Sequence, residues 1–184
     1  SSTAEDESCS VAGAGGGYKK NHLIVARRQK LLKDIDWLGK MHWQKSSQAQ
    51  PGVNVFSIGG FMGVIDMRGF PRAQAPGDEG ISFTTGLSFP PFGLSRGLSV
   101  PYSKTKMYDA VRLFTFLDYA KASFKTHQEG NPKHYEYTSG GIGCEFKVPD
   151  RAFSFRLDIG WPLSDQPTKD GDHAHAWFAI TKGF

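Results

Sequence analysis

Few residues in this chain are of a type and spacing to do chemistry. Arg68 lies in FSIGGFMGVIDMRGFPRAQAPGDEG (residues 56–80), between Met67 and the pair Gly69-Phe70. That stretch is too long, too glycine-rich and too apolar for an ordinary solvated turn. A guanidinium held away from water needs a partner, because its desolvation costs several kcal/mol; a loop arginine left in solvent needs none. His173 and His175 form His-Ala-His beside Asp170 and Asp172. Alternate residues at a strand end can share a metal ion, but a surface loop with acids has the same composition. Cys9 and Cys144 lie far apart and show no metal-ligand spacing. No G-x-S-x-G nucleophile elbow occurs. GAGGGY (residues 13–18) lacks the Lys-Ser/Thr and the preceding strand of a phosphate loop. The expectation is a protein that is not an enzyme, with no catalytic set, no metal and no cofactor.

The elements that must position Arg68 read as strands. In AFSFRLDIGW, Phe153, Phe155, Leu157, Ile159 and Trp161 share one face, and Ser154, Arg156, Asp158 and Gly160 share the other. Successive side chains of a strand point to opposite faces, so the segment is apolar on one side only. In AVRLFTFLDYAKA, Val111, Leu113, Thr115, Leu117 and Tyr119 alternate with Arg112, Phe114, Phe116, Asp118 and Ala120. ISFTTGLSF, GGIGCEFKV, the stretch from Ile35 to Gln44, HAWFAITKGF and, more weakly, NHLIVARRQKLL add the rest. That makes seven strands and almost no helix signal. PFGLSRGLSVPYSKTK (residues 91–106) reads as a long turn whose Arg96, Lys104 and Lys106 either meet lipid head groups or are solvated. Residues 1–17, acidic and then Gly/Ala-rich, read as a flexible loop or fragment end.

Composition narrows the class. The 184 residues are 39% hydrophobic and 13% aromatic, with a mean hydropathy of −0.41. No run of about 18 apolar residues exists to make a membrane-spanning helix. Alternating strands dilute the membrane signal in every window, so an outer-membrane barrel remains compatible. The net charge of +4 is too mild to argue for nucleic acid. A soluble sandwich shows the same alternation. Charges in mid-strand (Lys40, Glu145, Lys147, Arg156, Asp158) and aromatics near strand ends (Trp37, Trp43, Tyr119, Trp161) favour a barrel with a polar interior and aromatic girdles.

The order of short motifs carries a resemblance. FSIGG…MRGF followed by APGDEG and a strand, then LFTFLDYA, YTSGGIGCEF and LDIGWPLS, resembles the Omp85 superfamily of outer-membrane transporters and insertases over roughly residues 18–184. The ending looks most like the two-partner-secretion branch, the haemolysin-activator transporters. The resemblance implies an all-β fold: the C-terminal portion of an antiparallel transmembrane β-barrel, with a long loop, about residues 51–80, folded into the lumen. Met67, Arg68, Gly69 and Phe70 occupy the loop-tip motif. Phe116-Leu117-Asp118 fills the wall motif, which makes Asp118 the expected partner of Arg68. Gly69 is expected to let the tip turn and Phe70 to wedge against the wall. Phe178, Ile180 and the terminal Phe184 are expected to form the outward row of the closing strand and an assembly signal. This sequence departs from the pattern in the six residues between Gly60 and Met67, in Ser88 where many members carry a carboxylate, and in Lys182, third from the end.

The implied function is an outer-membrane pore that translocates a partner polypeptide. Its partners would be a secreted client polypeptide, outer-membrane lipid and the barrel assembly machinery, with no nucleic acid. The implied location is the bacterial outer membrane. The resemblance implies a barrel of about sixteen strands, which seven cannot close, so the chain is expected to be part of a larger one. An insertase that assembles other barrels, and a small β-barrel that binds a ligand or acts on lipid, are the alternatives.

Overall fold

A computed structural model describes residues 19–49, 54–61, 65–125 and 132–183. The expectations for residues 1–17, Cys9, GAGGGY and Phe184 fall outside the described residues. The fold is all-β. Strands β1 (Lys20–Lys30), β2 (Asp36–Ser46), β3 (Glu79–Phe89), β4 (Val111–Ser123), β5 (His134–Val148), β6 (Phe153–Pro162) and β7 (His175–Lys182) form one sheet in chain order. Every neighbouring pair is antiparallel. One short helix, α1 (Met107–Ala110), precedes β4.

The period of two decides which side chains share a face. On the inner face lie Asp36, His42, Gln44, Ser82, Ser88, Phe114, Phe116, Asp118, Tyr137, Ser139 and Asp158, all buried. On the outer face Phe83, Leu117, Ile142, Phe178 and Ile180 are exposed. The sheet is thus polar inside and apolar outside, the reverse of a water-soluble sandwich.

What buries the inner face is the connection between β2 and β3. It folds back as an irregular hairpin, bridged at Ile58–Ala75 and Gly60–Met67. Backbone bonds run from Phe56 N to Gly77 O (2.6 Å), Ile58 N to Ala75 O (2.8 Å) and Met67 N to Gly60 O (3.1 Å). Its Phe56, Ile58, Ile65, Met67, Phe70 and Ala75 pack on Ala120, Ala122 and Tyr137. The alanines of β4 leave room for the loop's large side chains. Each fully buried Phe, Ile or Met contributes about 1.5–3 kcal/mol, so the loop seats itself by its own apolar content. Ion pairs and polar bonds fix its flanks: Lys40 Nζ meets Asp66 Oδ2 at 3.1 Å, and Gln44 Nε2 donates to Asp78 O at 3.2 Å.

At the opposite end of the strands, the β3–β4 connection is ordered by one carboxylate. Ser103 Oγ and Thr105 Oγ1 each donate to Asp150 Oδ1 at 2.7 Å, and Lys104 N donates to Oδ2 at 3.0 Å. The Ser103 hydroxyl first, then those of Thr105 and the Lys104 amide, hold the Asp150 carboxyl well below the usual carboxylate range. A depressed folded value means the clasp is fully present above the unfolded carboxylate pKa, near 3.9, and is lost only as pH falls through the folded one. Amide exchange at Lys104 is therefore expected to stay slow from pH 8 down to pH 5 and to accelerate in Asp150→Ala. Unchanged exchange in that variant would show that the clasp does not order the connection.

Candidate functional site

The loop delivers Arg68 against the wall formed by β4, β5 and β6. Met67–Phe70 close a turn, with Phe70 N donating to Met67 O at 3.1 Å. Gly69 lies within that turn, and a second need falls on it. It is not among the glycines with positive φ, which are Gly59, Gly60, Gly93 and Gly171. Its requirement is space: a Cβ there would lie 2.6 Å from the Trp161 backbone and from Ser139 Cβ. Gly160 is its counterpart on the wall, where a Cβ would lie 2.6 Å from Arg68 C. Glycine on both sides lets backbone meet backbone.

The guanidinium is buried, and its donors are answered by two carboxylates. Arg68 Nη2 donates to Asp118 Oδ1 at 2.7 Å and Nε to Oδ2 at 3.0 Å, a bidentate fork. The Arg68 backbone N–H also donates to Asp118 Oδ2, at 3.1 Å. Nη1 reaches Asp158 Oδ1 at 3.3 Å. Both carboxylates are fully buried. The Phe116 ring lies under the guanidinium, 3.4 Å from Cζ to centroid, a cation–π contact that strengthens when water is excluded. Asp158 is shared: Arg156 Nε and Nη2 donate to it at 2.8 Å and 3.1 Å. Two arginines and two aspartates therefore balance inside the fold.

The tip's carbonyls are also engaged. Trp177 Nε1 donates to Arg68 O at 2.8 Å, and His175 Nδ1 to Gly69 O at 3.0 Å. A carbonyl only accepts, so Nδ1 carries the proton. Phe70 is wholly buried, with its ring edge-on to Tyr137 at 4.9 Å.

The structure thus brings Met67, Arg68, Gly69, Phe70, Phe116 and Asp118 into one cluster. Phe178 and Ile180 lie elsewhere, exposed on the outer face of β7. Sequence reasoning missed Asp158, Trp177 and His175 as partners of the tip. Asp158 was visible as an inner-face charge; what was missing was the register, which places it opposite Gly143, with Ser139 opposite Asp118. The absent carboxylate at Ser88 has an answer across the ladder. Asp36 pairs with Ser88 in register and holds Arg28 at 2.6 Å and Arg112 at 3.2 Å.

The His-Ala-His segment does not act as a unit. Among the described residues, Asp170, Asp172 and His175, without His173, bring ligand atoms within 4.8 Å of one another. Both ring nitrogens of His175 are already engaged, Nε2 with Asp170 Oδ2 at 2.9 Å. The arrangement reads as a tie between the β6–β7 connection and the loop tip. Gln74 makes a second such tie: its Nε2 donates to Pro167 O at 2.9 Å, and its Oε1 accepts from Lys169 N at 2.8 Å.

No family model matches the sequence, and no curated protein matches it. Among solved structures the chain is similar to CdiB from Escherichia coli, with a TM-score of 0.64 and 16% identity. The likeness covers 91% of this chain and 28% of that one. The fold is that of part of a β-barrel. The chain spans less than a third of the solved protein it resembles, which matches the seven-strand sheet and its inserted loop to a portion of a larger architecture.

Removing one partner of a buried pair leaves the other charge uncompensated, at about 3–5 kcal/mol. Arg68→Ala and Asp118→Ala are each expected to destabilise the full-length protein by about that much in equilibrium unfolding, and the double variant by less than the sum. Strict additivity would mean that the two side chains act independently.

Proposed function

We propose that this chain is the C-terminal part of an outer-membrane pore that translocates a partner polypeptide, of the two-partner-secretion type. One observation carries the reading: a sheet apolar outside and polar inside, with a long loop clamped to its inner face by a buried Arg68–Asp118–Asp158 cluster. Apolar outward rows suit lipid, where a closed barrel alone satisfies every backbone group. The free edges of β1 and β7 then pair with further strands of the same barrel. The likeness to CdiB supports the fold of this reading, and the tip motif stands here on the inner face of that sheet. Function is passive: the barrel conducts an unfolded client, and the Arg68 loop braces the lumen in the conformation that lets the client pass. Phe178 and Ile180, exposed on β7, present an outward row for the assembly machinery to read.

Two experiments test the reading. If Leu157 faces lipid near mid-membrane, Leu157→Arg should cost about 2–4 kcal/mol, whereas Ser154→Arg, on the inner face, should be tolerated. Equal tolerance would refute the faces. In cells, Arg68→Ala in the full-length protein is expected to lower release of the partner polypeptide into the medium per assembled barrel, beyond any fall in barrel level that its destabilisation causes. A variant that instead depletes other outer-membrane barrels, with secretion intact, would assign the protein to the insertase alternative.

A further inference from the structure

The connection between β3 and β4, at the end of the sheet away from the Arg68 loop's entry, is longer and more ordered than joining two strands requires. Its end, at Asp109 and Ala110, borders the inner space beside Asp36 and Arg112, but much of it lies on the other side of the wall. Val100 and Ala110, with Met107, pack against Val148, Phe146 and Phe153, and Phe146 and Phe153 belong to the outer rows of β5 and β6. Phe92 lies on Phe89 of the outer row of β3, with ring centroids 5.5 Å apart. The connection is therefore folded over the outside of the wall at one rim.

Its construction presents side chains rather than hiding them. Tyr102 is 92% exposed and Phe92 is 88% exposed. Tyr102 has a φ of 59°, a conformation uncommon for a bulky residue. Its carbonyl accepts from Arg151 Nε at 2.8 Å, and the next three residues are clasped to Asp150. A fixed, strained backbone here holds an aromatic ring out in the open. The charge leans basic: residues 90–110 contain Arg96, Lys104 and Lys106 against the single acid Asp109.

We propose that the β3–β4 connection is a collar that docks on the anionic phospholipid surface at this rim. Phe92, Leu98 and Tyr102 enter the boundary between head groups and acyl chains, and Lys104 and Lys106 meet the phosphates. Amphipathic aromatic rings favour that depth, and basic side chains beside it are attracted by anionic head groups. Arg96 has a structural share, bridging the connection to Asp34 at 3.0 Å. The proposal rests on the membrane-barrel reading above, and it adds a specific lipid contact to the rim.

The test is depth measurement by spin-label accessibility in the full-length protein, with its native cysteines, Cys9 and Cys144 among them, replaced by Ser. Nitroxides are placed through Phe92→Cys, Tyr102→Cys, Ile142→Cys on the outer face and Lys169→Cys in the β6–β7 connection. The vesicles are phosphatidylethanolamine with phosphatidylglycerol, or phosphatidylcholine alone. The expected result is that labels at positions 92 and 102 collide more with oxygen than with a water-soluble nickel complex, as at position 142 and unlike position 169. Lys104→Glu with Lys106→Glu should shift both labels toward water in the phosphatidylglycerol vesicles and leave them unmoved in phosphatidylcholine. If position 142 reports lipid while 92 and 102 report water, the collar is overturned and the surface is free for a soluble partner, with the barrel reading intact. If position 142 also reports water, the barrel reading itself fails. Labels at lipid depth that ignore both the lysine changes and the lipid charge would overturn the anionic part of the proposal.

Discussion

A guanidinium buried in a wall of strands is the constraint on which the rest of this structure depends. Its desolvation is repaid only if every donor finds an acceptor in good geometry. Asp118 supplies a fork and takes the backbone N–H as well, Asp158 takes a third side-chain donor, and Phe116 closes the face. Asp158 also serves Arg156, whose side chain is 36% exposed, so the buried Arg68 shares its second carboxylate with a cation at the water's edge. This couples the loop tip to β4 and β6 at once.

The constraint explains features that otherwise look unrelated. The wall must be bare where the tip lands, so glycine stands on both sides of the contact at Gly69 and Gly160. The loop must be long enough to reach from the end of β2 to mid-sheet and return to β3, and apolar enough to seat itself. Phe56, Ile58, Met67 and Phe70 do this by filling the space above Ala120 and Ala122. The β6–β7 connection is drawn in as well, through His175, Trp177 and Gln74. A loop held this way is a built part of the interior rather than a segment sampling solvent.

Much of this was legible in the residues. Period-two alternation in Phe153–Trp161 and Val111–Tyr119 is a direct consequence of strand geometry, so strand number and the two faces could be read locally. The likeness of MRGF and FLD to known motifs singled out Arg68 and Asp118. What stayed hidden depended on register between strands distant in sequence. Asp158 as second counter-ion, Asp36 facing Ser88, and Trp177 capping a carbonyl all arise from ladder alignment, which no local pattern encodes. The close approach at Gly69 stayed hidden for a related reason: turn chemistry is local, whereas backbone contact with Trp161 is not. The β3–β4 connection read as a turn because its order comes from Asp150, far along the chain.

The most direct measurement is the distance from the Arg68 guanidinium nitrogens to the Asp118 carboxylate carbon. It can be made by solid-state NMR on the lipid-reconstituted full-length protein with labelled arginine and aspartate, isolating Arg68 by difference against Arg68→Lys. The account predicts strong dipolar dephasing of a direct bidentate contact, present in the native protein and missing from the difference control. Loss of no dephasing on that substitution would show that Arg68 touches no carboxylate, and the loop would then need another anchor.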